Sequence, residues 1–302
     1  MTTEVGRLLT AMITPFKADG SVDYQAAEKL VAMLVADGSD GVVVSGTTGE
    51  SPSLSDDEKI ELLKVVRKAI PDKCVVAGTG SNDTHHSVKL SERAMKAGAD
   101  ALLAVVPYYN KPPQEGMYQH FKAISEVGPT IMYNIQGRTA VNMTAATTLR
   151  CAELPGILGV KEASGDLDQV GLVCAGKPER FKVWSGDDSW TLPVLAVGGY
   201  GVICVVSHIA GRSMRKLIAA YEANDNEEAR RIHLGLLPVI KTLMTTAANP
   251  VPIKSVLNAM GFAAGPFRLP LVPLTDDQLQ SVMQTIREAG DLVTFKAGVK
   301  VA

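Results

Sequence analysis

Cysteine is scarce in this chain: Cys74, Cys151, Cys174 and Cys204 are the only four in 302 residues, and none forms a CxxC pair. That spacing excludes a cysteine-built zinc site or a disulfide framework and reads as free core thiols in a reducing compartment. Charge of one sign is lacking too. A formal net charge of −2 with scattered lysines and arginines gives no electrostatic case for nucleic acid or for a polybasic membrane contact. No apolar run reaches the roughly 20 residues of a membrane span. The first residues lack a basic segment leading into a signal-peptide core. A soluble, cytoplasmic protein is expected. HExxH is absent, and His85-His86 reads as a solvated helix start rather than a ligand pair. Neither a metal nor a cofactor is expected.

What the chain does have is rhythm. Short apolar runs recur at Leu8–Ile13, Gly41–Ser45, Cys74–Thr79, Ala101–Val106, Thr130–Asn134, Ile157–Lys161, Phe181–Ser185 and Gly201–Val206. They are apolar throughout rather than alternating, as parallel strands covered on both faces are. Helical patterns lie between them. Tyr24–Ala36 carries Ala27, Leu30, Val31 and Leu34 at helical spacing, and Ser55-Asp-Asp-Glu58 has the spacing of a capping box. Asp83–Ala97 and Gln114–Ile124 continue the series. About eight such strands close a (β/α)8 TIM barrel. The competing doubly wound sheet is weakened because Gly78-Thr-Gly80 lacks the third glycine of a dinucleotide turn. Glu227–Thr246, Pro252–Met260 and Thr275–Ala289 read as a C-terminal helical appendage, so residues 1–224 are assigned to the barrel and 225–302 to the appendage. Val293–Ala302 is expected to be a poorly anchored tail.

In a barrel of this kind the strand C-termini face the active site. Strand two ends in Gly46-Thr-Thr-Gly-Glu50 and strand four in Pro107-Tyr-Tyr-Asn110. Strand five ends in Tyr133-Asn134, with Gly137-Arg-Thr139 behind it. Strand six ends at Lys161 and strand seven in Ser185-Gly-Asp-Asp188. A lysine ending a buried strand loses hydration of its ammonium form, which favours the free amine a Schiff base requires. It can also snorkel to water or pair with a carboxylate such as Glu162. Thr47 and Thr48 suit a carboxylate or simply a tight turn. Tyr133 suits proton exchange or packing, and Arg138 a bidentate carboxylate clamp or a loop salt bridge. Residue types alone leave these alternatives open.

The joint order of these motifs, with Asn249-Pro-Val-Pro-Ile-Lys254 and Arg268-Leu-Pro-Leu271, resembles the dihydrodipicolinate synthase family of pyruvate-dependent class I aldolases. The resemblance runs from about Gly6 to Leu274. It implies that Lys161 forms an imine with pyruvate and that the derived enamine attacks L-aspartate-4-semialdehyde. Tyr133 would shuttle protons through Thr47 and through Tyr109, which would reach a neighbouring subunit's site in a homotetramer built as a dimer of dimers. Thr48 would hold the pyruvate carboxylate, the Ile203 carbonyl would flank the imine, and Gly186 would keep the pocket clear of a side chain. Arg138 would bind the semialdehyde carboxylate, which separates this group from related lyases that take polyhydroxylated aldehydes. A non-catalytic metabolite-binding homologue is a further alternative. The family usually has proline where this chain has Gln136, which removes one constraint on the loop that aims Arg138.

The resemblance also implies an effector pocket for L-lysine at Ser51, Pro52, Leu54, Asp56, Lys59, Asn82, His86 and Tyr108. Sensitive relatives place a carboxylate where this chain has His86, so weak or absent feedback is expected.

Overall fold

The computed structural model describes residues 4–295. Eight parallel strands close into a barrel in sequence order, with the last pairing to the first through Leu8 against Val202. They are β1 (Leu8–Ala11), β2 (Gly41–Val44), β3 (Cys74–Gly78), β4 (Ala101–Val105), β5 (Thr130–Asn134), β6 (Ile157–Glu162), β7 (Lys182–Ser185) and β8 (Gly201–Cys204). The helices that wrap them are α1 (Tyr24–Ala36), α2 (Asp56–Ala69), α3 (Thr84–Lys96), α4 (Gln114–Ser125), the short α5 (Gln136–Thr139), α6 (Ala145–Ala152), α7 (Leu167–Gly176), α8 (Thr191–Ala196) and α9 (Ser207–Glu222). Beyond the barrel come α10 (Asn226–Thr245), α11 (Val251–Ala259) and α12 (Asp276–Glu288).

The period-two pleat divides each strand between two cores. Inward residues, among them Leu9, Val43, Val76, Leu103, Ile131, Tyr133, Trp184 and Ile203, fill the barrel. Outward residues such as Leu8, Val42, Val75, Leu102, Met132 and Val160 pack beneath the helices. Because Lys161 follows outward Val160, its side chain is carried to the inside, and Glu162 is carried back out. The helix signals hold: Ser55 and Glu58 form a reciprocal capping box at the start of α2.

Two expectations need correction. Several apolar runs outlast their strands, because apolarity marks burial rather than ladder pairing. After β8, the N–H groups of Val205 and Val206 turn to the Asp188 carboxylate, at 3.0 and 2.6 Å, instead of to a neighbouring strand. The first residues of the expected tail are also better anchored than expected. Thr294 and Phe295 donate their backbone N–H groups to the Ile209 carbonyl, Thr294 Oγ1 donates to Asp37, and the Phe295 ring is buried. The remainder of that expected tail, 296–302, lies outside the described residues.

The C-terminal region reaches back over the β1 and β2 ends of the barrel mouth. Phe16 donates its N–H to the Ala264 carbonyl, and the Arg268 guanidinium binds Gly20 O, Ser53 O and Glu58. That pairing with Arg268 holds the Glu58 carboxyl down to about 2. Among the described residues no helix is long and apolar enough to cross a membrane.

Candidate active site

Lys161 lies near the end of β6, in register with Tyr133 on β5 and Trp184 on β7. It is 5% exposed, and its Nζ sits 4.3 Å from the centroid of the Tyr133 ring. Burial rules out the snorkelling lysine. Pairing with Glu162 is ruled out as well. The Glu162 carboxylate points to the opposite face, where it accepts from Asn134 Nδ2, Ser164 N and Gln169 Nε2 at 3.0, 2.8 and 3.3 Å. Burial raises the Glu162 carboxyl against these donors. Among the described residues no carboxylate forms a salt bridge with Lys161. An amine held against an aromatic face without an acid is placed for nucleophilic attack on a carbonyl.

Gly186, after β7, borders the lysine stem. A Cβ built there would lie 2.8 Å from Ala163 Cβ and 3.2 Å from Lys161 Cε, so the space beside the lysine side chain depends on glycine. Ile203 is inside the barrel on β8. Asp187 and Asp188 are already committed. Asp187 accepts from Ser189 N and Oγ, whereas Asp188, buried beneath the mouth, accepts from Val205 and Val206. Burial pushes Asp188 up to about 6 against those N–H groups. Among the described residues no three His, Cys, Asp or Glu side chains gather as a metal site would need.

A cavity of about 590 Å³ opens at the strand C-termini and is lined by Thr47, Tyr133, Arg138 and Tyr108, with Leu103 and Ile135 among its apolar walls. Thr47 and Thr48 stand in a hydrogen-bonded turn. Gly49 N and Ser51 N donate to Gly46 O, Glu50 N donates to Thr47 O, and Thr14 Oγ1 donates to Gly49 O. The turn ends at Glu50, in the left-handed region at φ 55°. Its carboxylate is held by Lys254 Nζ at 2.7 Å and Arg268 N at 3.3 Å. Burial lowers the Lys254 ammonium, with Glu50 acting the other way. Thr48 is buried and accepts from Asn249 Nδ2.

Arg138 is exposed at the cavity edge on α5 and donates Nη2 to the Asn249 carbonyl at 3.0 Å. Gln136 takes the first helical position of this turn, where proline's missing N–H would cost nothing. Thr139 Oγ1 lies 3.0 Å from Ile135 O and 2.8 Å from Val141 O, and its single proton closes the turn on one or the other, which supplies order that the absent proline ring does not.

Tyr109 is not brought to this cavity. It is 89% exposed and sits at φ 72°, next but one to Lys111 at φ 46°. The effector candidates Ser51, Asp56, Lys59, Asn82 and His86 line the outer cavity with Tyr108. Asp56 is occupied by His86 Nε2 at 2.8 Å and Lys59 Nζ at 3.8 Å, and Asp83 caps α3. Burial lowers the Lys59 ammonium.

Sequence reading assigned no role to Asn249, Lys254 or Asn134, and offered Glu162 only as an alternative partner for Lys161, not as the partner of Asn134. Asn249 and Lys254 did stand in a quoted motif, and that was the available signal. Nothing local to Asn249 pointed to Thr48 or Arg138, since both contacts are long-range.

Comparison with known proteins identifies the family. The profile of the Dihydrodipicolinate synthetase family matches residues 4–289. A 4-hydroxy-tetrahydrodipicolinate synthase of Moorella thermoacetica is 52% identical over 288 residues, covering 94% of this chain and 98% of that protein. The Bacillus subtilis protein of the same name is 49% identical, covering 94% and 99%. The crystal structure of the Cyanidioschyzon merolae enzyme with lysine bound superposes with a TM-score of 0.92 at 43% identity, covering 94% and 98%. With identity of this level along nearly the whole length, the chain belongs to the dihydrodipicolinate synthetase family.

Proposed function

We propose that this protein condenses pyruvate with L-aspartate-4-semialdehyde to 4-hydroxy-tetrahydrodipicolinate, a lyase-class step toward diaminopimelate and lysine. The observation that carries this reading is the buried Lys161, without a salt-bridge partner among the described residues, facing Tyr133 at the barrel mouth, where the cavity is edged by Arg138. The Lys161 amine adds to the keto carbon of pyruvate and water leaves, giving a protonated imine. That cation acidifies the methyl group, and loss of a proton yields the enamine. The enamine carbon attacks the aldehyde, forming the carbon–carbon bond as the aldehyde oxygen takes a proton. The amino group of the semialdehyde then adds to the imine carbon and displaces the lysine.

In this reading Tyr133 moves the protons, with Thr47 as relay. Thr48 binds the pyruvate carboxylate, the Ile203 carbonyl flanks the imine and Gly186 leaves room for it. Arg138 binds the semialdehyde carboxylate and disfavours polyhydroxylated aldehydes. The catalytic unit is the barrel, residues 1–224, with 225–302 as its helical appendage. Tyr109 completes the relay in a partner subunit. An exposed tyrosine in strained backbone is costly in isolation and suits an assembly, here a cytoplasmic homotetramer.

The outer cavity is a poor host for L-lysine, because Asp56 and Asp83 already have partners and His86 and Lys59 add no negative charge. Strong inhibition by sub-millimolar L-lysine contradicts that part of the reading. Borohydride reduction with pyruvate present, followed by peptide mapping, tests the whole: the adduct is expected on Lys161, and an adduct elsewhere overturns the assignment. Arg138→Ala is expected to weaken use of the semialdehyde far more than imine formation. Equal losses in both indicate a structural arginine.

A further inference from the structure

Asn249 stands just ahead of α11 and has no part in the mechanism above. Its Nδ2 donates to Thr48 Oγ1 at 3.0 Å, and its main-chain carbonyl accepts from Arg138 Nη2 at 3.0 Å. One residue thus touches both groups that, in the proposed function, hold the two substrate carboxylates. A threonine hydroxyl has one proton to give and two lone pairs. Thr48 Oγ1 uses a lone pair on Asn249, and among the described residues its proton is given to no other group. A hydroxyl that accepts a hydrogen bond is a better donor in turn.

The rest of the asparagine is not arranged for stability. Its Oδ1 is buried and has no hydrogen-bond partner among the described residues. A buried acceptor left unpaired is destabilising, and an amide retained only for structure has every reason to satisfy both ends. The orientation favours the donor end at the expense of the acceptor.

We infer that Asn249 is a positioning residue: its amide fixes the Thr48 hydroxyl as a donor toward the pyruvate carboxylate, and its carbonyl steadies Arg138 toward the semialdehyde carboxylate. This assignment rests on the proposed condensation. Asn249→Ala removes the donor. Asn249→Asp keeps the size, but an ionised carboxylate can only accept, so it draws the Thr48 proton away from substrate and sets a negative charge nearby.

The test is steady-state kinetics on the full-length protein with Asn249→Ala and Asn249→Asp, each checked for folding by thermal melt. The KM for pyruvate is expected to rise about tenfold for Asn249→Ala and further for Asn249→Asp, with kcat at saturating pyruvate within about threefold of wild type. A packing role predicts the opposite order, with the isosteric aspartate closer to wild type. That order, or an unchanged KM in either folded variant, overturns the assignment. Should the alanine variant fail to fold, the aspartate variant carries the test alone. Wild-type protein that leaves no borohydride-stable pyruvate adduct overturns the condensation itself. A wild-type adduct combined with unchanged variant KM values overturns Asn249 only.

Discussion

Asn134 and Glu162 are register partners one position beyond Tyr133 and Lys161, and their side chains are hydrogen-bonded on the outer face of the barrel at 3.0 Å. The Lys161–Tyr133 pair on the inside therefore has a buried polar clasp directly behind it. Asn134 Oδ1 also accepts from Met143 N, so the clasp ties β5 and β6 to the segment leading into α6.

Asn134→Ala should accordingly impair catalysis without touching substrate. It leaves Glu162 buried with fewer donors, a loss of about 2 kcal/mol of stability by the cost of an unsatisfied buried group. Slackened pairing at the strand ends should lower kcat about tenfold or more. Denaturant melts and turnover read both effects, and a variant matching wild type in each removes the clasp from consideration.

Gly186→Ala tests the space beside the lysine stem. The added methyl group meets the Ala163 side chain at 2.8 Å and the Glu162 carbonyl at 3.1 Å, contacts that require a shift at the end of β6. Overpacking of this kind costs about 1–3 kcal/mol. The larger effect should be on imine formation, because Lys161 Cε is the third neighbour at 3.2 Å. The borohydride-trapped adduct should form at least about tenfold more slowly at equal pyruvate. Trapping at the wild-type rate means that the pocket tolerates a side chain.

Much of this was legible in the linear order of residues. The strand runs report burial, and burial on both faces of many short strands leaves few architectures other than a closed barrel. Lys161, Tyr133, Thr47 and Arg138 were legible because strand ends in such a barrel share one mouth. Asn249 and Lys254 were not, since their partners Thr48, Arg138 and Glu50 lie on distant elements. Periodicity carries no signal for a side-chain bond between the appendage and a turn after β2. Tyr109 marks another limit: its exposure and left-handed backbone emerge only in three dimensions.

Acid sensitivity should follow from His208. The ring is buried and neutral, with Nδ1–H donating to Val205 O at 2.8 Å and Nε2 accepting from Ile13 N at 3.1 Å. Burial lowers its pKa from 6.5 to about 4, with the Val205 carbonyl opposing. Because the folded-state value is the lower one, the contribution is complete above 6.5 and is lost as pH falls toward 4, by roughly 3 kcal/mol. Burial lowers His120 to about 4 with the same sign. Asp188, raised to about 6, works in the opposite sense and gains as pH falls. His208→Gln should be less stable at pH 7.5 yet lose less between pH 7 and 5. Parallel pH profiles for variant and wild type in denaturant melts eliminate His208 as the source.

The last prediction concerns the ion pair between Glu50 and Lys254, whose side chains are 1% and 0% exposed. Lys254 Nζ also lies over the Phe16 ring, 4.1 Å from its centroid. Two charges withdrawn from water gain little net stability from each other, yet removing one strands its partner. Lys254→Met should therefore cost about 3–5 kcal/mol, and adding Glu50→Gln should recover most of that loss. Recovery of stability need not restore the turn. The Glu50 carboxylate is what Lys254 and the Arg268 N–H grip to hold a non-glycine residue at φ 55° just past Thr47 and Thr48. With the grip weakened, the double variant should melt near wild type while its KM for pyruvate stays raised. If stability and KM recover together, the pair is a packing element alone, and the threonine turn is set by its own backbone hydrogen bonds.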